Sequence, residues 1–422
     1  MGIAGLGTVG TGVVRIIRSN ARLIAARSGR EVVISAVCAR NRDKDRGVNL
    51  TGYDWVDDPV ALATRDDIDV FVELIGGGDG PAKSATEAAL AAGKDVVTAN
   101  KAMLAVHGQR LSEAAEAGGR VLRFEAAVAG GIPVVKALGE GLAGNSINRI
   151  MGVMNGTCNY ILTRMESTGL PYATVFEEAR ALGYLESDPQ LDVGGIDAGH
   201  KLALLAAIGF GTRIDFAAVE LEGIERITIE DIEQAADMGF RIKLLGVAQM
   251  TGRGLEQRMS PCLVPADSPL GQLEGATNMV VLEGDAAGQI VLRGAGAGQG
   301  PTASAVLSDV IDIARGVRLA TFGQSAASLA TAKPARTAAP APYYLRMELV
   351  DKPGALAKIA HALGEAGVSI YRMRQYGHED TTAPVLIVTH KTSREALDLA
   401  LAGLGSTGVL ANAPVAIRIE SV

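Results

Sequence analysis

The stretch GYLESDPQLDVGGIDAGHK, residues 183–201, gathers Glu186, Asp188, Asp192 and Asp197 ahead of Lys201. Asp197 and Lys201 stand four apart, which on a helix puts them on one face, followed by the apolar Leu202, Leu205 and Ile208. Carboxylates in this number suit a ligand that carries an ammonium group. A lysine of depressed pKa suits proton transfer to or from an alcohol oxygen while a hydride moves. The plain alternative is a solvated loop with a surface ion pair worth about 0.3–0.5 kcal/mol. The residues alone leave the two readings close. The carboxylate spacing fits no EF-hand loop, which argues against calcium.

A second chemical cluster opens the chain. Gly5-Leu6-Gly7-Thr8-Val9-Gly10 follows a short apolar strand, Met1–Ala4, and precedes a run in which Val9, Val13, Val14 and Ile17 recur at helical spacing. In that setting Gly5, Gly7 and Gly10 let the backbone approach a pyrophosphate at a helix N-terminus. The strand is shorter than the usual five or six residues, so a few residues are expected ahead of Met1. An NAD-specific fold places an acid at the end of the second strand, on the ribose 2′-hydroxyl. Here that end reads Ala39-Arg40-Asn41-Arg42, with no acid and with a guanidinium suited to a 2′-phosphate. NADP(H) is favoured over NAD(H), unless Arg40 and Arg42 are merely solvated. Lys101 lies just past the strand-like run 95–100, on the edge of an open α/β sheet where ligands bind. The Asn155-Gly156 turn puts Thr157 as an N-cap, and the exposed N–H groups there suit a substrate carboxylate, although capping alone also explains the motif.

These groups need elements to hold them. The runs 31–40, 70–77 and 95–100 are near-continuous apolar strands, and an alanine-rich helix at 84–92 separates the last two. That alternation predicts a Rossmann-type, doubly wound parallel sheet. From about residue 130 the pattern changes to helices at 158–167, 173–182, 197–208 and 229–237 with alternating strands, an α+β domain to which the family resemblance described below gives substrate binding and dimerisation. A glycine-rich loop then leads into a helix at Pro301-Thr302. Residues 326–342 are Ala/Pro-rich and read as a linker. Beyond it a β-α-β-β-α-β order predicts a small ferredoxin-like module. The expected division is 1–130 plus 296–325 for the dinucleotide, 131–295 for the substrate, and 343–422 for the C-terminal module, in line with 422 residues.

Hydrophobic residues make up 48% of the chain and aromatics only 4%, against 52 glycines, which fits an α/β protein with an Ala/Val/Leu/Ile core. A net charge of −7 excludes a nucleic-acid platform. Cys38, Cys158 and Cys262 are too scattered for a disulfide framework or a zinc site. With no long apolar run, no membrane partner is expected, and the cytoplasm is the expected compartment.

The order GLGTVG, VVTANKAML, NGTCNYILTRME, GYLESDPQLDVGGIDAGHK and GAGAGQGPTASAV resembles homoserine dehydrogenase over residues 1–325. DKPGALAKIA and VSIYRMRQ resemble an ACT domain, a regulatory amino-acid-binding unit. The resemblance implies interconversion of L-aspartate 4-semialdehyde and L-homoserine, with Lys201 as proton donor and acceptor. Glu186 and Asp197 would bind homoserine, Asp192 would shape the site, and Lys101 would reach both cofactor and substrate. Thr8 and Val9 would lie along the cofactor phosphates, and Gly76 and Gly298 would close around the dinucleotide. It further implies a monovalent-cation (sodium) site from the Glu125 carboxylate and the carbonyls of Val128, Gly130 and Ile132. Threonine is the implied effector, at the Asp351–Gly354 turn, in a homodimer or homotetramer. The stretch GGGDGPA, 76–82, departs from the family pattern in lacking a bulkier residue after its first two glycines. A dehydrogenase for another small aldehyde, or an amino-acid sensor without turnover, are the rival readings.

Overall fold

The computed structural model describes residues 1–185, 188–335, 337–375 and 381–421. The first layer is built from β1 (Gly2–Ala4), α1 (Thr8–Ser28), β2 (Ala36–Cys38), β3 (Asp54–Trp55), α2 (Pro59–Ala63), β4 (Val70–Glu73), α3 (Pro81–Ala91), β5 (Asp95–Thr98), α4 (Lys101–Ala117) and β6 (Leu122–Arg123). All six strands run parallel in the order β3-β2-β1-β4-β5-β6. The sequence reverses direction at β1, so the crevice beyond β1 and β4 is the place where such sheets bind ligands. The strands are buried on both faces, as their unbroken apolar runs require. The ladder is shorter than the 31–40 run, because β2 pairs with β1 only over Ala36–Cys38. The helix expected at 84–92 begins earlier, at Pro81, which takes the first turn where its missing N–H costs nothing.

The second part contains α5 (Val134–Lys136), β7 (Ile147–Val153), α6 (Gly156–Thr168), α7 (Tyr172–Ala181), α8 (Gln190–Val193), α9 (Ile196–Phe210), β8 (Glu220–Leu221), α10 (Ile229–Asp237), β9 (Phe240–Thr251), β10 (Gly254–Pro265), β11 (Thr277–Gly284) and β12 (Gly288–Ala295). The chain then returns to the first layer as α11 (Gln299–Ala314), whose Ala303, Val306 and Val310 pack in one cluster with Val13, Val14 and Ile17 of α1. The last part is β13 (Tyr343–Val350), α12 (Ala355–Glu365), β14 (Ile370–Gln375), β15 (Thr382–Thr389), α13 (Arg394–Gly405) and β16 (Val415–Ile419), in the order the sequence pattern predicts.

Sheet two crosses what looked like a domain boundary. Its strands run β12-β11-β7-β9-β10-β16-β13-β15-β14, with β8 also on β10. β16 pairs in parallel with β10, so the C-terminal module continues the sheet of the second part. Residues 326–335 and 337–342 are mostly irregular but lie against the body. Leu255 donates to Lys333 O at 2.8 Å and accepts from Ala335 N at 2.9 Å. No helix among the described residues is long and apolar enough to cross a membrane.

Candidate active site

α9 starts after Gly195, which sits at φ 79° and turns the chain out of α8. Its first turn carries Asp197, and Lys201 follows one turn later; both are buried. Lys201 Nζ lies 2.7 Å from Asp197 Oδ2 and donates to Met154 O at 2.9 Å. Lys101, the first residue of α4, comes from the opposite wall and places its Nζ 2.9 Å from Asp197 Oδ1. One carboxylate therefore joins α4 of the first layer to α9 of the second part. Burial alone would raise the Asp197 carboxyl, but Lys201 and then Lys101 outweigh it and hold the group well below the usual carboxylate range. An ammonium has three donors. Lys201 spends two, on Asp197 and Met154 O, and leaves one for the cleft that it lines.

The cleft has a volume of about 1100 Å³. Thr8, Val9, Lys101, Val128, Thr157, Asp192, Asp197, Lys201 and Gly298 all line it, so residues far apart in sequence meet there. Glu186 lies outside the described residues. Asp188 turns away from such a role, its carboxylate accepting from Gln190 N at 3.1 Å. Gly5, Gly7, Gly10, Arg40, Gly76, Glu125, Gly130 and Ile132 are not part of the cleft lining.

One expected detail is corrected. The N-cap of α6 is Asn155, whose Oδ1 accepts from Cys158 N at 2.8 Å, and not Thr157. Thr157 sits inside the first turn and donates to Tyr184 O at 2.9 Å, tying α6 to the loop that leads to the acidic stretch. Asn155 also donates to Asp192 Oδ1 at 2.9 Å, so one buried amide caps the helix and aims a carboxylate. In the sequence Asn155 reads as a turn residue, although an Asn three residues ahead of a helical N–H is itself a capping pattern.

The glycine cluster forms a cradle. Gly5 has φ 107°, and a Cβ there would collide with the Leu74 carbonyl; one on Gly10 would collide with Gly5 O. A Cβ on Gly7 would meet nothing, so that side of the turn is open. Gly7 caps α1 without a side-chain bond, and Gly298, at φ 115°, does the same for α11. Two helix N-termini thus present bare N–H groups at one cleft, which fits a dinucleotide pyrophosphate. The Gly76 turn (φ 85°) is held by Glu73, buried in β4, which accepts from Ile75 N at 2.7 Å and Gly76 N at 3.1 Å. Glu73 was not singled out by the sequence, where it reads as one acid in the apolar VFVELIGG. Arg40 stands exposed two residues past β2.

Below the cleft, Glu125 is buried and accepts from Val135 N at 3.0 Å and Lys136 N at 2.8 Å. Burial, reinforced by Asp309, pushes its carboxyl up to about 7. The carbonyl of Ile132 accepts from Val134 N, while no backbone donor to Val128 O or Gly130 O is found among the described residues. A buried carboxylate and carbonyls without a backbone donor are the hard oxygen ligands that a monovalent cation takes.

The family model for the homoserine dehydrogenase NAD-binding domain matches residues 5–125, that for homoserine dehydrogenase residues 133–311, and that for the ACT domain residues 343–405. A homoserine dehydrogenase of Neisseria gonorrhoeae is 44% identical over 430 residues, covering 100% of this chain and 98% of its own length. The crystal structure of a homoserine dehydrogenase from Thiobacillus denitrificans superposes with TM-score 0.94 at 39% identity, over 100% of this chain and 97% of that one. A hyperthermophilic archaeal homoserine dehydrogenase in complex with NADPH matches 74% of this chain and 96% of its own, with TM-score 0.62 at 28% identity. With the family models and full-length relatives agreeing, the chain belongs to the homoserine dehydrogenases, NAD(P)-dependent oxidoreductases, and carries an ACT domain behind the catalytic part.

Proposed function

We propose that the cleft interconverts L-homoserine and L-aspartate 4-semialdehyde with Lys201 as the group that gives and takes the proton at the substrate oxygen. The observation that carries this is the pair of lysines sharing Asp197 inside the cleft, with one Lys201 donor left over. In the reducing direction Lys201 hands its proton to the developing alkoxide, and in the oxidising direction it takes the hydroxyl proton. Asp197 keeps the amine oriented, and Lys101 adds a second positive charge where negative charge builds. Glu186 and Asp197 hold the substrate ammonium and Asp192, aimed by Asn155, shapes the site, while the N–H groups at the start of α6, next to Thr157, suit its carboxylate. A bound nicotinamide dinucleotide supplies or accepts the hydride.

Gly5, Gly7, Thr8, Val9 and Gly10 cradle the pyrophosphate, Gly76 and Gly298 close over it, and Arg40 takes a ribose 2′-phosphate, which favours NADP(H). NADPH in the archaeal relative supports that choice. Glu125 with the carbonyls of Val128, Gly130 and Ile132 holds sodium. In the ACT domain the Asp351–Gly354 turn, with Gly354 at φ 84°, receives threonine, and the enzyme works in the cytoplasm as a homodimer or homotetramer.

The deciding experiment follows NADPH absorbance with aspartate semialdehyde in the wild type and Lys201→Ala, then with NADH and in Arg40→Ala. Turnover lost in Lys201→Ala, and preference for NADPH lost in Arg40→Ala, are the expected results. Full turnover in Lys201→Ala would remove Lys201 from the reaction. For the cation, melting in sodium chloride is compared with choline chloride; stabilisation specific to sodium should vanish in Glu125→Gln.

A further inference from the structure

β10 changes partners along one edge. Arg258 and Met259 pair in parallel with Glu220 and Leu221 of β8; further on, Cys262 and Leu263 pair in parallel with Arg418 and Ile419 of β16. Where one partner gives way to the other, the sheet forks, and a cavity of about 550 Å³ opens between the substrate domain and the ACT domain. Its volume is in the range of small-molecule sites. The edge of β16 at Val415–Ile417 lines it on the ACT side. β16 pairs with β13 along its other edge there, so its cavity-side backbone groups face the fork.

The charged lining falls into two sets. Arg258 and Arg418 are buried and committed: both grip Glu420, and Arg258 also binds Glu256 at 2.9 Å. Glu220, Glu222 and Arg226 are accessible, and none of their side chains has a hydrogen bond or ion pair with a described residue. Arg394 at the start of α13 uses its Nε on Asp398 and keeps its two terminal nitrogens for the cavity. Two carboxylates, Glu220 and Glu222, and two guanidiniums, Arg226 and Arg394, are therefore left facing the same space. A ligand with a single charge would satisfy only one sign. A zwitterion with an ammonium and a carboxylate satisfies both.

The floor of this cavity is clamped to the substrate loop. Glu222 N donates to Met259 O at 2.8 Å, and Ile224 N donates to Val193 O at 3.0 Å. Between them Gly223 runs so close that a Cβ would collide with Val193 O. Val193 follows Asp192 at the end of α8, and Gly195, on which Met259 packs, opens α9 ahead of Asp197.

We propose that the fork between β8, β10 and β16 is an α-amino-acid site separate from the Asp351–Gly354 turn, and that its occupant acts on substrate binding through the Glu222–Ile224 clamp. The binding half stands on the cavity alone; the coupling half rests on reading residues 183–201 as the substrate loop.

The test is differential scanning fluorimetry of the full chain with the proteinogenic L-amino acids one at a time, and with the deaminated acid of each hit. At least one amino acid should stabilise the wild type. Its affinity should fall at least about tenfold in Glu220→Gln and in Arg226→Ala, each of which removes one charge-assisted bond. It should persist in Asp197→Asn, which separates it from binding in the cleft, and in Gly354→Ala, whose Cβ at φ 84° strains the ACT turn. No hit, a hit that survives both cavity variants, or a deaminated acid that binds equally well overturns the site. For the coupling, the hit should raise KM for homoserine in the wild type and leave it unmoved in Glu220→Gln. An unmoved wild-type KM overturns the coupling, and the Lys201→Ala turnover assay separately judges the substrate-loop reading.

Discussion

Asp197 and Glu420 are both buried carboxylates surrounded by cations, and the nature of the cations separates their roles. Asp197 lies between Lys101 and Lys201 on the wall of the large cleft. Glu420 follows β16 and is gripped by Arg149 of β7, Arg258 of β10 and Arg418. Around Glu420 the guanidinium donors are spent elsewhere too, on Glu256, Ser260, Ser421 O and Tyr343. A guanidinium holds its proton at every physiological pH and fixes geometry through a planar fork; an ammonium is compact and can exchange its proton. The first cluster has the chemistry for the proton transfer proposed above, and the second welds the ACT strand to the sheet of the second part.

Lys201 gives the sharpest way to break this contrast. Lys201→Ala should lower kcat by about 10²–10⁴, the usual contribution of a positioned acid–base group. Lys201→Arg should fail nearly as badly, since it keeps a charge near Asp197 but gives up no proton. Stopped-flow NADPH consumption measures both, with nucleotide fluorescence checking that the cofactor still binds. Restoration by arginine would mean that charge alone matters, and the two clusters would then be of one kind.

Glu420→Gln should do the reverse. It leaves three arginines facing a neutral amide at the seam, at a cost of about 3–5 kcal/mol for an uncompensated buried charge. The first urea transition should move to lower denaturant, while kcat of the folded fraction stays unchanged. A loss of kcat without a loss of stability would give Glu420 a part in the reaction. A smaller effect is expected at Lys101, whose side chain is 29% exposed and shares Asp197 with Lys201. Lys101→Ala should reduce kcat/KM about 10–100-fold, as for one charge-assisted bond, and steady-state kinetics with both substrates varied would read it.

The reactive cluster was far more legible in the sequence than the weld. Asp197 and Lys201 sit four apart on one helix, and Lys101 follows a strand whose end faces the ligand crevice, so local pattern and fold rules suffice. What closes that cluster did not show. Met154 contributes a carbonyl, which has no side-chain signature, and Asn155 was overshadowed by Thr157 because both residue types cap helices. The weld joins Arg149 to Glu420 across 271 positions. The β-α-β-β-α-β order announced the ACT domain, yet nothing local in APVAIRIES says that this strand also pairs with β10. Which strand edge meets which is decided by packing between units and not by any one segment.

The acid limb of stability offers the finest discrimination between the two clusters. For Glu420, burial pushes the carboxyl up, but Arg258, Arg418 and Arg149 outweigh it and lower it; Asp197 is lowered by its lysines in the same way. In the unfolded chain these groups titrate at about 4.3 and 3.9. As pH falls from about 5, the unfolded state takes up protons first, so the stability each cluster contributes is full above that point and drains away below it. The gap in urea stability between wild type and Glu420→Gln should therefore be widest near neutrality and shrink steadily toward pH 3. Asp197→Asn should narrow the same way from a smaller starting gap, since Lys101 reaches water and its share of the attraction is screened. A gap that stays constant with pH for Glu420→Gln would mean that its carboxyl is not held ionised by the arginines, and that the weld rests on packing of β16 against β10 instead.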